Sequence, residues 1–196
     1  SQELLDLRMQ CLDDRRESLR QLVSVLQAAD ATVVGQARRA VDGLPPLEPC
    51  SDPNLLRQSH PPPSSMQQDA VDDANARLSK AEALFNAGLL HSAREVAEGA
   101  VAKANESEYA PVQARALLEA GTVAAALGDA ATAEQRLRAA LGPARQSGDE
   151  ALELQTWLQL LYVVGVTSGR AEEAEQWYPV VEALLERVGA SDGLRA

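Results

Sequence analysis

The stretch LLEAGTVAAALGDAATAEQRLRAAL, Leu117–Leu141, decides how the rest of the chain is read. It holds two alanine-rich helical halves on either side of Gly128. Small side chains suit helices that cross at close distance, and a glycine permits the tight turn between them. Two further stretches superimpose on it by their turn glycines, Gly88 and Gly169, which lie 40 residues before and 41 after Gly128. Beyond each glycine a small residue follows at one offset (Ala93, Ala133, Ala174), and a second seven further on (Ala100, Ala140, Val181). Before each glycine stand Ala81, Gly121 and Tyr162 at one offset and Leu84, Ala124 and Gly165 at another. This reads as three consecutive helix–turn–helix units. Pro111 is placed to start a helix. Pro143 and Pro179 are expected to kink or shorten the second helices of the second and third units.

These units resemble tetratricopeptide repeats, which place Leu-Gly on the first helix, glycine at the turn and alanine twice on the second helix. The usual period is about 34 residues, so the resemblance is to long-helix variants such as those of kinesin light chains. HEAT and armadillo repeats share a length of about 40 but lack the glycine-plus-alanine signature. The first unit departs from the pattern, with Lys80-Ala81 in place of Leu-Gly.

Upstream, Leu5, Met9, Leu12, Leu19, Val23 and Leu26 draw one apolar stripe on a helix over about Glu3–Ala29, with Arg15 bordering it and Arg16 interrupting it. Asp30 reads as the N-cap of a second helix over Ala31–Asp42, with Val34, Ala37 and Val41 inward and Gly43 at its end. Seven of the ten prolines then fall between Leu44 and Ser65, which excludes regular helix over most of that segment; Asp52-Pro53-Asn54-Leu55-Leu56 is suited to one short helical turn. The expected organisation is an all-α chain: a helical hairpin (1–43), a Pro-rich connector (44–70), three tetratricopeptide-like repeats forming an α-α superhelix (71–189) and a frayed tail (190–196). A chain opening on Ser1 directly in a helical pattern reads as a piece of a longer protein or as one carrying a tag scar.

The N-terminal string Arg8-Met9, Cys11-Leu12, Arg15, Leu19, Leu22, Leu26, Asp30, Ala37, Ala40, Leu44-Pro45 and Cys50-Ser51-Asp52 carries a second resemblance. It is similar to the region between kinase domain and repeats in large myxobacterial-type serine/threonine protein kinases. That resemblance implies a regulatory or interaction region C-terminal to a catalytic domain, with the parent's own kinase domain among its candidate partners. An alternative is a structural or oligomerisation arm of a bacterial transcription activator or another multidomain regulator.

Composition narrows the function classes. A net charge of −11 repels phosphate backbones, so nucleic acid is an unsuitable ligand. No stretch reaches the roughly 18 consecutive apolar residues of a membrane span, and a cytoplasmic location is expected. The sequence holds no Gly-rich loop with a strand lysine, no H-R-D or D-F-G, and no hydrolase, zincin or dinucleotide fingerprint. No catalytic residue, metal ligand or cofactor is therefore assigned. His60 and His91 read as solvated, and Asp13-Asp14 and Asp72-Asp73 as solvated faces, because neighbours on a helix point apart. Cys11 and Cys50 lie in segments able to meet, yet compartment logic favours two small buried thiols over a bridge. Arg15 is expected to play a structural role, pairing with a connector carboxylate such as Asp52.

The expected binding surface is the concave side lined by the first helix of each unit. Its outward residues are Asn75, Leu78, Glu82 and Phe85, then Arg115, Leu118, Thr122 and Ala125, then Thr156, Gln159, Val163 and Val166. The lining is mostly neutral and apolar and lacks a lysine–asparagine clamp for a C-terminal carboxylate. An amphipathic helix or protein surface is the expected partner, with the N-terminal hairpin folded into the groove as a competing occupant. Trp157, Leu158, Leu161 and Trp177 suggest an apolar last unit able to meet further repeats or a second copy.

Overall fold

In the computed structural model, which describes residues 2–53, 56 and 62–193, nine α-helices succeed one another and no strand occurs among the described residues. They are α1 (Gln2–Gln27), α2 (Ala31–Asp42), α3 (Ser65–Asn86), α4 (Leu90–Ser107), α5 (Ala110–Ala126), α6 (Ala130–Ser147), α7 (Glu150–Leu161), α8 (Ala171–Glu175) and α9 (Tyr178–Gly193). Local chemistry sets most of the boundaries. Asp30 caps α2 by accepting from the Val33 N–H at 3.0 Å, and Asp129 and Asp149 cap α6 and α7 in the same way. Pro111 sits in the first turn of α5. The turns α3–α4, α5–α6 and that after residue 167 each hold a glycine at positive φ: Gly88 (81°), Gly128 (79°) and Gly169 (68°), where a side chain would be strained.

The helix pairs pack where the small residues fall. Ala93, Ala133, Ala100 and Ala140 are fully buried, and Ala174 and Val181 nearly so. At Gly121 a β-carbon would meet the Leu137 side chain at 2.7 Å, so the glycine lets α5 and α6 approach. One continuous core runs from α3 through α4 and α5 to Ala140 of α6. A second joins α5, α6 and α7, and a smaller one ties α7 to α9 through Leu154, Trp157, Val181 and Leu184.

Several expectations are corrected. Helix α3 begins at Ser65, inside the range assigned to the connector, because the Ser64 N–H donates to Gln67 Oε1 at 3.0 Å and stabilises an earlier start. Pro143 does not interrupt α6; near the helix end it forfeits a single backbone bond. Pro179 does coincide with a break: the second helix of the third unit is split into α8 and α9, and Pro179 lies in the first turn of the restarted helix. The tail is helical through Gly193 rather than frayed from residue 190.

The apolar faces of the hairpin are rotated from the expected ones. Leu5, Met9, Leu19 and Val23 are about half exposed and Leu12 is exposed as well, whereas Ser18, Leu22 and Val25 are buried. In α2 it is Val33 and Ala40 that are buried, while Val34 and Val41 face solvent. Polar and covalent tethers choose the face of α1. Cys11 is disulfide-bonded to Cys50, with Cα atoms 5.5 Å apart, which replaces the expected pair of free thiols. Arg8 Nε donates to the Cys50 carbonyl at 3.2 Å and Arg15 Nε to the Pro46 carbonyl at 3.0 Å. Arg15 thus has the structural role expected of it, toward a connector carbonyl, while exposed Arg16 pairs with Asp13 at 3.0 Å. The hairpin so tethered packs Leu22, Val25, Val33 and Ala40 against Ala83 and Leu84 of α3 and Ala87 at its C-terminal cap. Gly43 ends α2 with ordinary helical φ; its small size matters because a β-carbon there would collide with the Asn86 side chain. Leu56 N–H donates to the Asp52 carbonyl at 3.1 Å; the rest of the short turn expected there, and His60, lie outside the described residues.

Candidate functional site

The third unit contains one residue more than the second before its turn glycine, and that residue is absorbed in a π-helical turn over Tyr162–Thr167 that continues α7. Up to Val164 the first helices therefore align at 40 residues, not 41. Burial follows that register: Val112 and Leu152, Ala114 and Leu154, Leu117 and Trp157, Ala120 and Leu160, and Val123 and Val163 are buried in pairs. The glycine-anchored alignment slips by one over this helix, which accounts for half-exposed Tyr162 standing where a small buried residue was expected.

This register corrects the expected lining. Leu78 and Leu118 are buried in the array's own core, as are Thr156 and Val163. Phe85 lies under the Arg39 guanidinium of α2 at 5.3 Å, and Ala125 packs on the α5–α6–α7 core. Val166 is 70% exposed, on the π-turn beyond the shared register. Glu82, Arg115, Thr122 and Gln159 line one cavity, and Asn75 is joined to it through Arg115, whose Nη1 donates to Asn75 Oδ1 at 3.4 Å while Nη2 lies 3.8 Å from Glu82 Oε1.

This open cavity between α3, α5 and α7 has a volume of about 150 Å³ and is lined by Glu82, Arg115, Leu118, Glu119, Thr122, Leu152, Gln155 and Gln159. The apolar part of its wall is the flank of Leu118 and Leu152, and the remainder is polar. Sequence reasoning missed Glu119, Leu152 and Gln155: the 41-residue offset matched Arg115 to Thr156 instead of Gln155, and Glu119 and Leu152 lie beside the rows that were followed.

Glu119 is the unusual member. Its Oε1 is sealed from solvent and has no hydrogen-bond partner among the described residues. Burial pushes its carboxyl up to about 8, Glu82 adds to the rise, and Arg115 opposes it. At neutral pH the group is mostly protonated. Helix α1 borders the site: burial raises the Asp14 carboxyl too, with Arg115 and then Arg15 drawing it down. Ion pairs also join the second helices and the turns before them. There Arg136 bonds Glu98 at 2.6 Å, Arg94 reaches Asp129 at 3.0 Å, and Arg138 and Arg170 both contact Glu134 and Glu173.

The remaining candidates are ordinary surface groups. His91 is exposed in the first turn of α4. Asp73 pairs with Arg77 at 2.9 Å, and Asp72 accepts from Gln68 at 2.9 Å. No cluster of metal-ligating side chains occurs among the described residues, and no helix there is long and apolar enough to cross a membrane. Comparison with protein-family models, with curated proteins and with solved structures returns no match for this chain.

Proposed function

We propose that this chain is a tetratricopeptide-like protein-interaction module, the regulatory part of a larger bacterial serine/threonine kinase, and that it engages a protein partner on the face formed by α3, α5 and α7. One observation carries the binding role. Three successive first helices line one open cavity, with Glu82 and Thr122, Arg115 and Gln155, and Glu119 and Gln159 paired at a 40-residue spacing, the arrangement by which helical arrays present a continuous ligand surface. The α1–α2 hairpin covers the C-terminal half of α3 and leaves the α5–α7 part of that face open, so the groove is only partly occupied by its own chain. The kinase parent is supported by the N-terminal string from Arg8 to Asp52, whose Cys11, Arg15 and Cys50 together hold the hairpin to the connector. Disulfides are more usual in oxidising compartments than in a reducing cytoplasm, so the redox state of Cys11 and Cys50 in the cell bears on where the module works.

The test places a photo-crosslinking residue at exposed Gln155 in the cavity wall, or at exposed Glu95 on α4 as control. Adducts to one predominant protein from position 155, absent from position 95, are the expected result. Equal labelling at both positions would overturn the assignment of the face. The coding sequence upstream decides the parent: a kinase catalytic domain is expected there, and another domain would refute that part. A charge introduced at Leu118 is unsuitable, since that side chain is 6% exposed and the change would test folding.

A further inference from the structure

We propose that the cavity between α3, α5 and α7 receives a primary ammonium group, the lysine side chain of a protein partner, with Glu119 as its counter-ion. The identity of the partner as a protein rests on the interaction reading above; the ammonium site itself does not.

The cavity's chemistry favours a cation over an anion. Two carboxyl groups, Glu82 and Glu119, two side-chain amides, Gln155 and Gln159, and the Thr122 hydroxyl offer acceptors. Thr122 Oγ1 already donates its proton to the Leu118 carbonyl at 2.9 Å, so toward the cavity it can only accept. The one cation present, Arg115, is engaged toward Asn75 and Glu82. Leu118 and Leu152 supply apolar wall for a methylene stem, and about 150 Å³ suits a lysine side chain better than a bulky ring. An orphaned, sealed carboxyl oxygen is a rare and costly feature in a folded chain. An ammonium in the cavity would set a counter-charge beside this carboxyl and offset the repulsion between Glu82 and ionised Glu119. The excess of acidic groups over the whole chain, net −11, draws cations toward it.

Binding is then coupled to proton release. With Glu119 at about 8 in the free protein, the ammonium must displace its proton at neutral pH. The charged groups facing Glu119 are Glu82 of α3 and Arg115 of its own helix; α7 contributes only neutral Leu152, Gln155 and Gln159 to the wall, and Asp14 of α1 faces Arg115. Affinity is expected to rise about tenfold per pH unit below the Glu119 midpoint and to level off above it.

The experiment follows the Glu119 carboxyl carbon and the Gln155 and Gln159 side-chain amides by NMR while the whole chain is titrated with Nα-acetyl-lysine methylamide. Its Nε-acetylated form and butyrate serve as controls. Expected are shifts at all three residues with the lysine probe only, affinity about tenfold higher at pH 7 than at pH 6, and a lowered Glu119 midpoint in the bound state. Glu119→Gln should abolish the pH dependence and weaken binding at least tenfold at pH 8.5. Glu82→Gln, a second variant, should weaken it two- to threefold. Equal shifts with the Nε-acetylated probe, a response to butyrate instead, or no response to any probe would overturn the proposal. Loss of the lysine response with crosslinking at position 155 intact refutes the ammonium site alone; a lysine response without crosslinked protein refutes the interaction reading alone.

Discussion

At the scale of single residues, Glu119 sets the pH behaviour of the fold as well as of the site. A carboxyl raised from an ordinary 4.5 to about 8 keeps its proton in the native state over a range where the unfolded chain has lost it. The unfolded state then binds fewer protons, so stability falls as pH rises between those values and is flat above. Each pH unit in that window removes at most about 1.4 kcal/mol. Glu119→Gln, which keeps the shape but cannot ionise, should therefore unfold at higher urea than the parent at pH 8 and at nearly the same concentration at pH 4. Equal midpoints at both pH values would show that Glu119 titrates normally. Part of this was legible in the sequence, since Glu119 is the one ionisable residue between Ala116 and Leu127. What spacing alone does not reveal is that Glu119 lines an open cavity whose far wall is Leu152, Gln155 and Gln159 of the next unit.

At the scale of elements, the glycine turns, the Asp30 cap and the small residues of the second helices could be read directly, because each is dictated by local backbone geometry or close packing. The hairpin face was not legible for a different reason. Leu5, Met9 and Leu12 promised more buried apolar area than Cys11, Arg8 and Arg15, yet a covalent bond and two arginine contacts to the connector fixed the other face. The π-turn escaped because a one-residue insertion in a helix leaves only a spacing of 41 instead of 40 as its trace. The tether makes a specific prediction. The Cys11–Cys50 bridge spans 39 residues, and closing such a loop in the unfolded state is worth about 2–4 kcal/mol. Reduction, or the double change Cys11→Ser with Cys50→Ser, should accelerate amide exchange in α1 and α2 at least tenfold while leaving α4–α6 unchanged. Uniform acceleration across the chain would mean that the bridge supports the whole fold.

At the scale of the molecule, each helix pair packs chiefly on its neighbours in sequence, so stability is expected to be local and graded. The two large cores share α5 and α6, which are therefore held from both sides. The C-terminal unit has much less: four buried side chains join α7 to α9. Its anchor is Trp177, whose ring lies 5.6 Å from that of Trp157 and under the Arg138 guanidinium at 5.0 Å. Ion pairs from Arg138 and Arg170 to Glu134 and Glu173 bridge α6 to the last unit, but partly exposed pairs contribute only about 0–1 kcal/mol each. Removing the indole takes away the partly buried ring that packs against both the α5–α6–α7 core and the smaller α7–α9 cluster. Trp177→Ala should cost about 3–5 kcal/mol locally and detach α8 and α9, raising their exchange by two orders of magnitude or more. Protection in α3–α6 should stay within about twofold, because Trp177 only borders the α5–α6–α7 core, whose buried side chains keep one another as partners. The cavity lies on the near side of α7, so the lysine probe should still shift Glu119 in this variant. If α3–α6 lose protection together with α9, the chain unfolds as one cooperative block, and the nearest-neighbour account of its stability is wrong.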